Sequence, residues 1–489
     1  MDNKEALKAL EPKEVFNYFY EISNIPRGSG NEKQISDYLM KFAEKHNLEA
    51  RQDKALNVVI KKDGTKGYKH LPAVILQGHM DMVCEKNESY IHDFLRDPIK
   101  LKLEGEYLTA EGTTLGADNG IAVAYCLAIL AAKDIPHPPL EVIITSEEEI
   151  GLKGAAKLKT FDIEGKYLIN IDAEDEGVFF SSCAGGARTI IDLPIHWEIE
   201  PEEYDKYSLM ITGLKGGHSG GEINKNRGNS NKLIGRILNQ LKKTCDIKLA
   251  YISGGLKENA IPREAKAKLL VNKKNNILFK KQIDQISTAI KNELALSDPN
   301  FNIDVEISND SEKRMFSDET TDNVISILMN IPYGVQTMSM DIEGLVESST
   351  NIGVVQVDKD SIKFKSATRS SVGSLKQYIL EQIETLAKSN NAKFELVSSY
   401  PEWKYNRHSK LRELFIKVYK EEYNKKPEIA AIHAGLECGL LSEKLENVDM
   451  IAIGPNMHDV HTPDERLNIK STKRTWEFIL QILKEIKQI

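Results

Sequence analysis

Cysteine is scarce in this chain of 489 residues: the five present, Cys84, Cys126, Cys183, Cys245 and Cys438, are odd in number, widely spaced and without a CxxC pair. That excludes a disulfide framework and a cysteine-type zinc site, and it points to a reducing cytoplasm. Long apolar runs are missing too. The longest, Ile121 to Ala132, has twelve residues, whereas a membrane span needs about 18 or more; it predicts a buried helix. Nor is there an excess of basic charge. The balance of 65 Lys+Arg against 73 Asp+Glu leaves −8, so neither nucleic acid nor an anionic membrane is expected as a partner. The opening residues MDNKEALKALEPKEV are charged and hold no apolar stretch, so no secretory signal is expected.

What is present is ordinary globular material, 41% hydrophobic and 28% charged, with length for two or three domains. Residues 12–22 and 31–45 have helical apolar spacing, with Pro12 suited to a first turn. Short apolar runs at 73–77, 141–145, 167–171 and 449–453 are strand-sized and apolar on both faces, as in the centre of a covered sheet. Helical stretches lie between them, including 119–132, and a last helix is predicted at 472–488 with Ser471 as N-cap. This pattern predicts an α/β fold with a mainly parallel sheet. The middle of the chain reads β-α-β-β-α-β, with strands around 204–211, 247–252, 265–272 and 302–308 and helices at 230–243 and 278–295, the ferredoxin-like order. A β-β-α-β set follows at 351–357, 361–368, 374–388 and 392–398. The expected organisation is a catalytic domain formed by 1–186 and 398–489, interrupted at 187–397 by an enlarged ferredoxin-like α+β domain.

Acidic and histidine residues fall at the ends of the predicted strands. His79 and Asp81 follow the first, Glu147-Glu148-Glu149 the second and Asp172 the third, while Asp118 opens the 119–132 helix and His458 and His461 follow the last strand. Ligands of open α/β sheets bind outside the carboxyl ends of the strands, so distant segments deliver these groups to one edge. Taken singly, each has a plainer reading. Asp118 suits a helix cap, the glutamates suit a solvated helix start, and each histidine suits packing or surface. Taken together they favour a metal site. Two histidines and three carboxylates exceed one tetrahedral zinc and suit two ions about 3.5–4 Å apart. The adjacent pair Glu148-Glu149 supplies a second carboxylate beside a ligand, as a general base requires, and Asp81 is placed as acceptor for the second N–H of His79.

The stretches QGHMDMVCEK (77–86), LGADNGIAVA (115–124), EEEIGLKGA (147–155), LINIDAEDEG (168–177), CAGG (183–186), GLKGGHSGGEI (213–223), NAIPREA (259–265), HAGLECGLL (433–441) and HTPDE (461–465) extend over most of the chain. Together they resemble the dinuclear-zinc exopeptidases related to aminoacylase and glutamate carboxypeptidase, and within that clan the aminoacyl-histidine (cytosolic nonspecific) dipeptidases. The resemblance implies His79 and Asp172 on one metal, Glu149 and His461 on the other, and Asp118 bridging. It implies Glu148 as base, Asp81 orienting His79, His218 recognising the scissile peptide, and Asn259, Arg369 and Gly435 binding substrate. His458 lies outside this pattern, and Cys84 and His433 carry no assigned role.

It further implies two divalent ions, zinc by default with manganese or cobalt as alternatives, a dipeptide substrate and a homodimer whose inserted lid domain carries the dimer contact. In related enzymes the histidine matching His218 often reaches the partner subunit's site. Rival readings are an N-acyl-amino-acid deacylase or tripeptidase of the same clan, and a metal- or peptide-binding protein without turnover.

Overall fold

The computed structural model describes residues 9–308 and 313–489. The chain divides into two compact units: Met1–Ser182 with Trp403–Ala431 and Leu436–Ile489, and Cys183–Glu402 with Ile432–Gly435.

The first unit is built on an eight-stranded sheet. Its centre is four parallel strands in the order Leu140–Thr145, Val74–His79, Tyr167–Asn170 and Asp449–Ala452. These are the four apolar runs of the sequence, and the first two are buried at every residue because both faces are covered. The flanks correct the expectation of a mainly parallel sheet. Glu49–Gln52 and Val58–Lys62 extend one edge antiparallel, and Val178–Cys183 joins antiparallel beyond Asp449–Ala452. Glu428–Ile432 completes the sheet.

The helix Ala117–Ala131 is buried on all sides, as its uninterrupted apolar run requires. It starts two residues before the predicted boundary, and Asp118 and Asn119 within its first turn are not helical. Asn119 is wholly buried; its side chain accepts from the His79 N–H at 3.1 Å and donates to the Ile171 carbonyl at 2.7 Å. It thereby ties the Asp118 turn to two strand ends. Only glycine fits beneath it: a Cβ on Gly78 would lie 2.4 Å from Asn119 Oδ1 and 2.6 Å from Ala122 Cβ.

Two capping expectations are corrected. Pro12 is the N-cap of helix Lys13–Ser23 and lies just outside its first turn. The last helix is Ile469–Glu485, capped by Asn468, whose side chain accepts from the Ser471 N–H. Ser471 is therefore inside the helix, and the stronger Asn cap three residues upstream wins.

The second unit has its own core and a nine-stranded sheet. Strands Asn302–Ile307, Tyr204–Thr212, Ala265–Asn272 and Ile247–Gly254 lie in that order, which is 4-1-3-2 of a ferredoxin-like set. The neighbouring four, Val346–Val357, Ser361–Ser370, Gly185–Pro194 and Lys393–Tyr400, repeat the arrangement as 2-3-1-4. Helices Asp318–Asn330 and Gly373–Ser389 serve this second set. Its first strand and first helix are separated in sequence by the whole first set, and the sets join where Gly254 pairs with Val355. Gly78→Ala is expected to force Asn119 off both strand ends and to cost roughly 1–3 kcal/mol as an overpacked site. Chemical denaturation compared with wild type measures it.

Candidate metal centre

Five segments of the first unit converge at the carboxyl ends of the parallel strands. His79 closes its strand with its side chain 1% exposed. Its Nε2 lies 3.2 Å from Asp118 Oδ1 and 3.6 Å from Asp172 Oδ1, and its Nδ1 faces Asp81 Oδ1 at 3.3 Å. His461 stands at the rim, 47% exposed. Its Nε2 lies 2.9 Å from Asp118 Oδ2 and 3.0 Å from Glu149 Oε1. Asp118 thus offers one carboxylate oxygen to each histidine. Two donor sets share it, His79–Asp118–Asp172 and Asp118–Glu149–His461, with the donor atoms of each set all within 4.8 Å of one another. A third set, His79–Glu148–Glu149, has the same compactness, and Glu148 Oε2 lies 3.9 Å from His79 Nε2. His458 is not in the cluster; it sits in a short strand with its ring edge-on to Tyr107.

The electrostatics fit divalent cations. Burial, reinforced by the charges of Asp118 and Glu149, pushes the Asp172 carboxyl up to about 7. Burial also drives Glu148 well above the usual carboxylate range, with Asp172, Glu437 and Glu149 adding to it. His79 rises despite burial because Asp172, Asp118 and Asp81 surround it. His461 is carried to about 11 by its hydrogen bonds to Asp118 and Glu149. Carboxylates therefore outnumber the cations available to them, and the imidazole and carboxylate donors are those of zinc or manganese. These residues can hold metal ions.

Two buried carboxylates have another task. Asp81, fully buried, accepts from Ser29 Oγ at 2.7 Å and from the Glu148 and Glu149 N–H groups at 3.0 and 3.2 Å. Burial opposes its ionisation, but His79, the Glu148 amide and Ser29 hold its carboxyl below the usual range. It fixes the glutamate turn as well as facing His79.

Glu465, which sequence reasoning did not single out, accepts from the N–H groups of Leu115, Gly116, Ala117 and Asp118 at 2.8–3.3 Å. Through it the His461 loop grips the backbone that presents Asp118. The buried Arg27 guanidinium donates to the carbonyls of Met80, Asp81 and Gly116, tying the same turns from below. The only sequence signal for either residue was a charge inside a motif-like loop, HTPDE and PRGSG.

The remaining expected site residues, His218, Asn259, Arg369 and Gly435, belong to the second unit. His218 pairs with Ala260 across a two-residue ladder, and the Asn259 carbonyl accepts from the Ser219 N–H. His218 Nδ1 accepts from the Gly220 and Gly221 N–H groups at 3.3 and 3.2 Å. Burial and the charge of Arg369 hold its pKa below the ordinary value, so the ring is neutral at pH 7 and Nε2 carries the proton. Arg369 donates to Tyr400 Oη at 3.2 Å. A Cβ on Gly435 would meet the Tyr400 ring at 2.8 Å, so glycine lets that ring close over the segment. His433, buried, hydrogen-bonds Ser349 Oγ at 2.7 Å, and burial with Arg369 and His218 takes its pKa to about 3.

With this geometry in place, the kinship is decisive. Residues 75–485 match the model of peptidase family M20/M25/M40, and the chain belongs to that family. It is 37% identical to the cytosol non-specific dipeptidase of Escherichia coli over 98% of this chain and 99% of that protein. The solved aminoacylhistidine dipeptidase of Vibrio alginolyticus superposes with a TM-score of 0.93 at 36% identity, covering 98% of this chain and 97% of that one. A tripeptidase from Staphylococcus aureus, at 16% identity and a TM-score of 0.55 over 98% of this chain and all of that one, shares the fold. Glu465→Ala leaves four amides without their acceptor and is expected to cost about 3 kcal/mol or more. Thermal unfolding of the purified variant checks this.

Proposed function

We propose that this chain is a metallodipeptidase that hydrolyses the peptide bond of dipeptides with free amino and carboxyl termini. The observation that carries the reading is the Asp118 carboxylate, one oxygen to His79 and the other to His461, with Glu148 and Glu149 beside them. The full-length similarity to two dipeptidases supports the substrate class.

In this reading His79 and Asp172 would hold one divalent ion and Glu149 and His461 a second, with Asp118 the donor common to both sets. The ions are zinc by default, with manganese or cobalt as alternatives. Ions bound there supply Lewis acidity at the scissile carbonyl and make water acidic enough to deprotonate near neutral pH. Glu148, whose burial makes it a stronger base than a solvated glutamate, takes the water's proton and passes it to the leaving amine. Asp81 holds His79 in one orientation and fixes the Glu148 amide. His218, neutral with its proton on Nε2, donates to the carbonyl oxygen as negative charge develops there. The Arg369 guanidinium and Asn259 hold the substrate carboxylate, and the backbone at Gly435 contacts substrate.

A cytoplasmic location is part of the proposal, supported by the similarity to a cytosol dipeptidase; no described helix is long and apolar enough to cross a membrane. A homodimer is proposed from the family pattern around His218, and the unit from Cys183 to Glu402 is proposed as the lid.

Glu148→Gln is expected to lower kcat by about 10²–10⁴, roughly 3–5 kcal/mol of barrier, with KM and metal content near wild type. Glu149→Gln should lose metal first. Reversed metal losses would exchange the two roles, and an active Glu148→Gln would remove the general base from the mechanism. A substrate panel decides among the clan's activities: dipeptides should be cleaved, while N-acyl amino acids and tripeptides should be poor. No turnover with two ions bound would leave a binding protein.

A further inference from the structure

One acidic residue of the HAGLECGLL stretch has no part in the mechanism above. Glu437 opens the helix Glu437–Lys444 and is 0% exposed. An acidic side chain in a first helical turn is ordinarily a solvated group favoured by the helix dipole; this one is inside the protein. Its Oε2 accepts from Gln77 Nε2 at 2.6 Å and from Thr145 Oγ1 at 2.7 Å. Gln77 Oε1 in turn accepts from Asn170 Nδ2 at 2.6 Å. The second oxygen of Glu437, Oε1, is buried with no hydrogen-bond partner.

These contacts have a common address. Gln77 is two residues before His79 on its strand, Asn170 is two before Asp172, and Thr145 ends the strand that leads to Glu148 and Glu149. Side chains two apart on a strand share a face. Glu437 therefore lies below the candidate metal centre and is hydrogen-bonded, directly or through Gln77, to three of the strands that deliver its ligands. No lysine or arginine pairs with it among the described residues. The charges that reach it are those of His79, Asp172 and Asp81, and it in turn acts on Glu148. A carboxylate beneath a cation site is stabilised by the ions above it and strengthens their binding.

We propose that Glu437 is a positioning residue for the metal centre: its buried negative charge, coupled through Gln77, Asn170 and Thr145 to the ligand-bearing strands, sets the affinity for divalent ions. The inference rests on the metal reading of the His79–Asp118–His461 cluster. It predicts opposite effects on two measurements. Without metal, the charge faces His79 alone and is opposed by burial and by Asp172 and Asp81, so removing it should not destabilise the fold. With metal, removing it should weaken binding.

Glu437→Gln keeps the shape and an acceptor oxygen for Gln77 and Thr145 while deleting the charge. In competition with a chromophoric chelator, the metal-free full-length variant should bind Zn²⁺ about 10–100-fold more weakly than wild type, the usual cost of losing a partner behind the ligands. Its melting temperature without metal should equal or exceed that of wild type, and its gain in melting temperature with Zn²⁺ should be smaller. Unchanged zinc affinity with a lowered metal-free melting temperature would overturn the proposal and make Glu437 a purely structural hydrogen-bond acceptor. Glu437→Asp, which retains charge on a shorter side chain, should recover part of the affinity if charge is what matters; no recovery together with full affinity in Glu437→Gln would likewise overturn it. If wild type itself binds no zinc, the metal reading fails instead, so the two failures are distinct.

Discussion

The first unit is organised around carboxylates that have been taken out of water without enough protein cations to neutralise them. At the carboxyl ends of four parallel strands, Asp118 spans the gap between His79 and His461, and Asp172, Glu148 and Glu149 crowd beside them. Such groups are costly to bury unless they are paired, hydrogen-bonded or bound to metal. The structure divides its buried acids accordingly. Asp81 and Glu465 are satisfied by backbone amides and serve to hold loops in place. Asp172 and Glu148 are driven toward their protonated forms by burial and by neighbouring carboxylates, the condition that divalent ions relieve. One set fixes positions, and the other is left for ions and protons.

The second unit shows the converse arrangement. Burial, reinforced by the Arg369 cation, keeps two histidines neutral, and backbone amides decide which nitrogen of His218 carries the proton. A neutral imidazole with a free Nε2–H is a hydrogen-bond donor that costs no deprotonation step, which suits stabilisation of a carbonyl oxygen as it gains charge. The guanidinium itself is steadied by a hydrogen bond to Tyr400 Oη.

Much of this was legible in the sequence, for a physical reason. A strand covered on both faces must be apolar throughout, so the four central strands stood out, and the polar residues just beyond their ends were conspicuous. The twelve-residue apolar run could only be a buried helix. The residues missed share a different trait. Glu437, Glu465 and Arg27 are charged residues in or beside loops, the usual signature of solvated surface, and their burial is created only by segments distant in sequence. The repeated ferredoxin-like set was half-read. The strand Gly185–Pro194 that begins it lies far in sequence from the helix Asp318–Asn330 that follows it in the motif, so no local pattern connects them. The edge strand Glu49–Gln52 escaped because it is short, only half-covered and polar, with no apolar run to mark it.

Anomalous diffraction at the zinc edge, from crystals of the wild-type protein grown with zinc, tests the central claim most directly. Two peaks about 3.5–4 Å apart are predicted, with Asp118 contributing one oxygen to each, His79 and Asp172 completing one and Glu149 and His461 the other. A single peak, or a pair that leaves Asp118 unligated and takes Glu148 as a ligand, would contradict it.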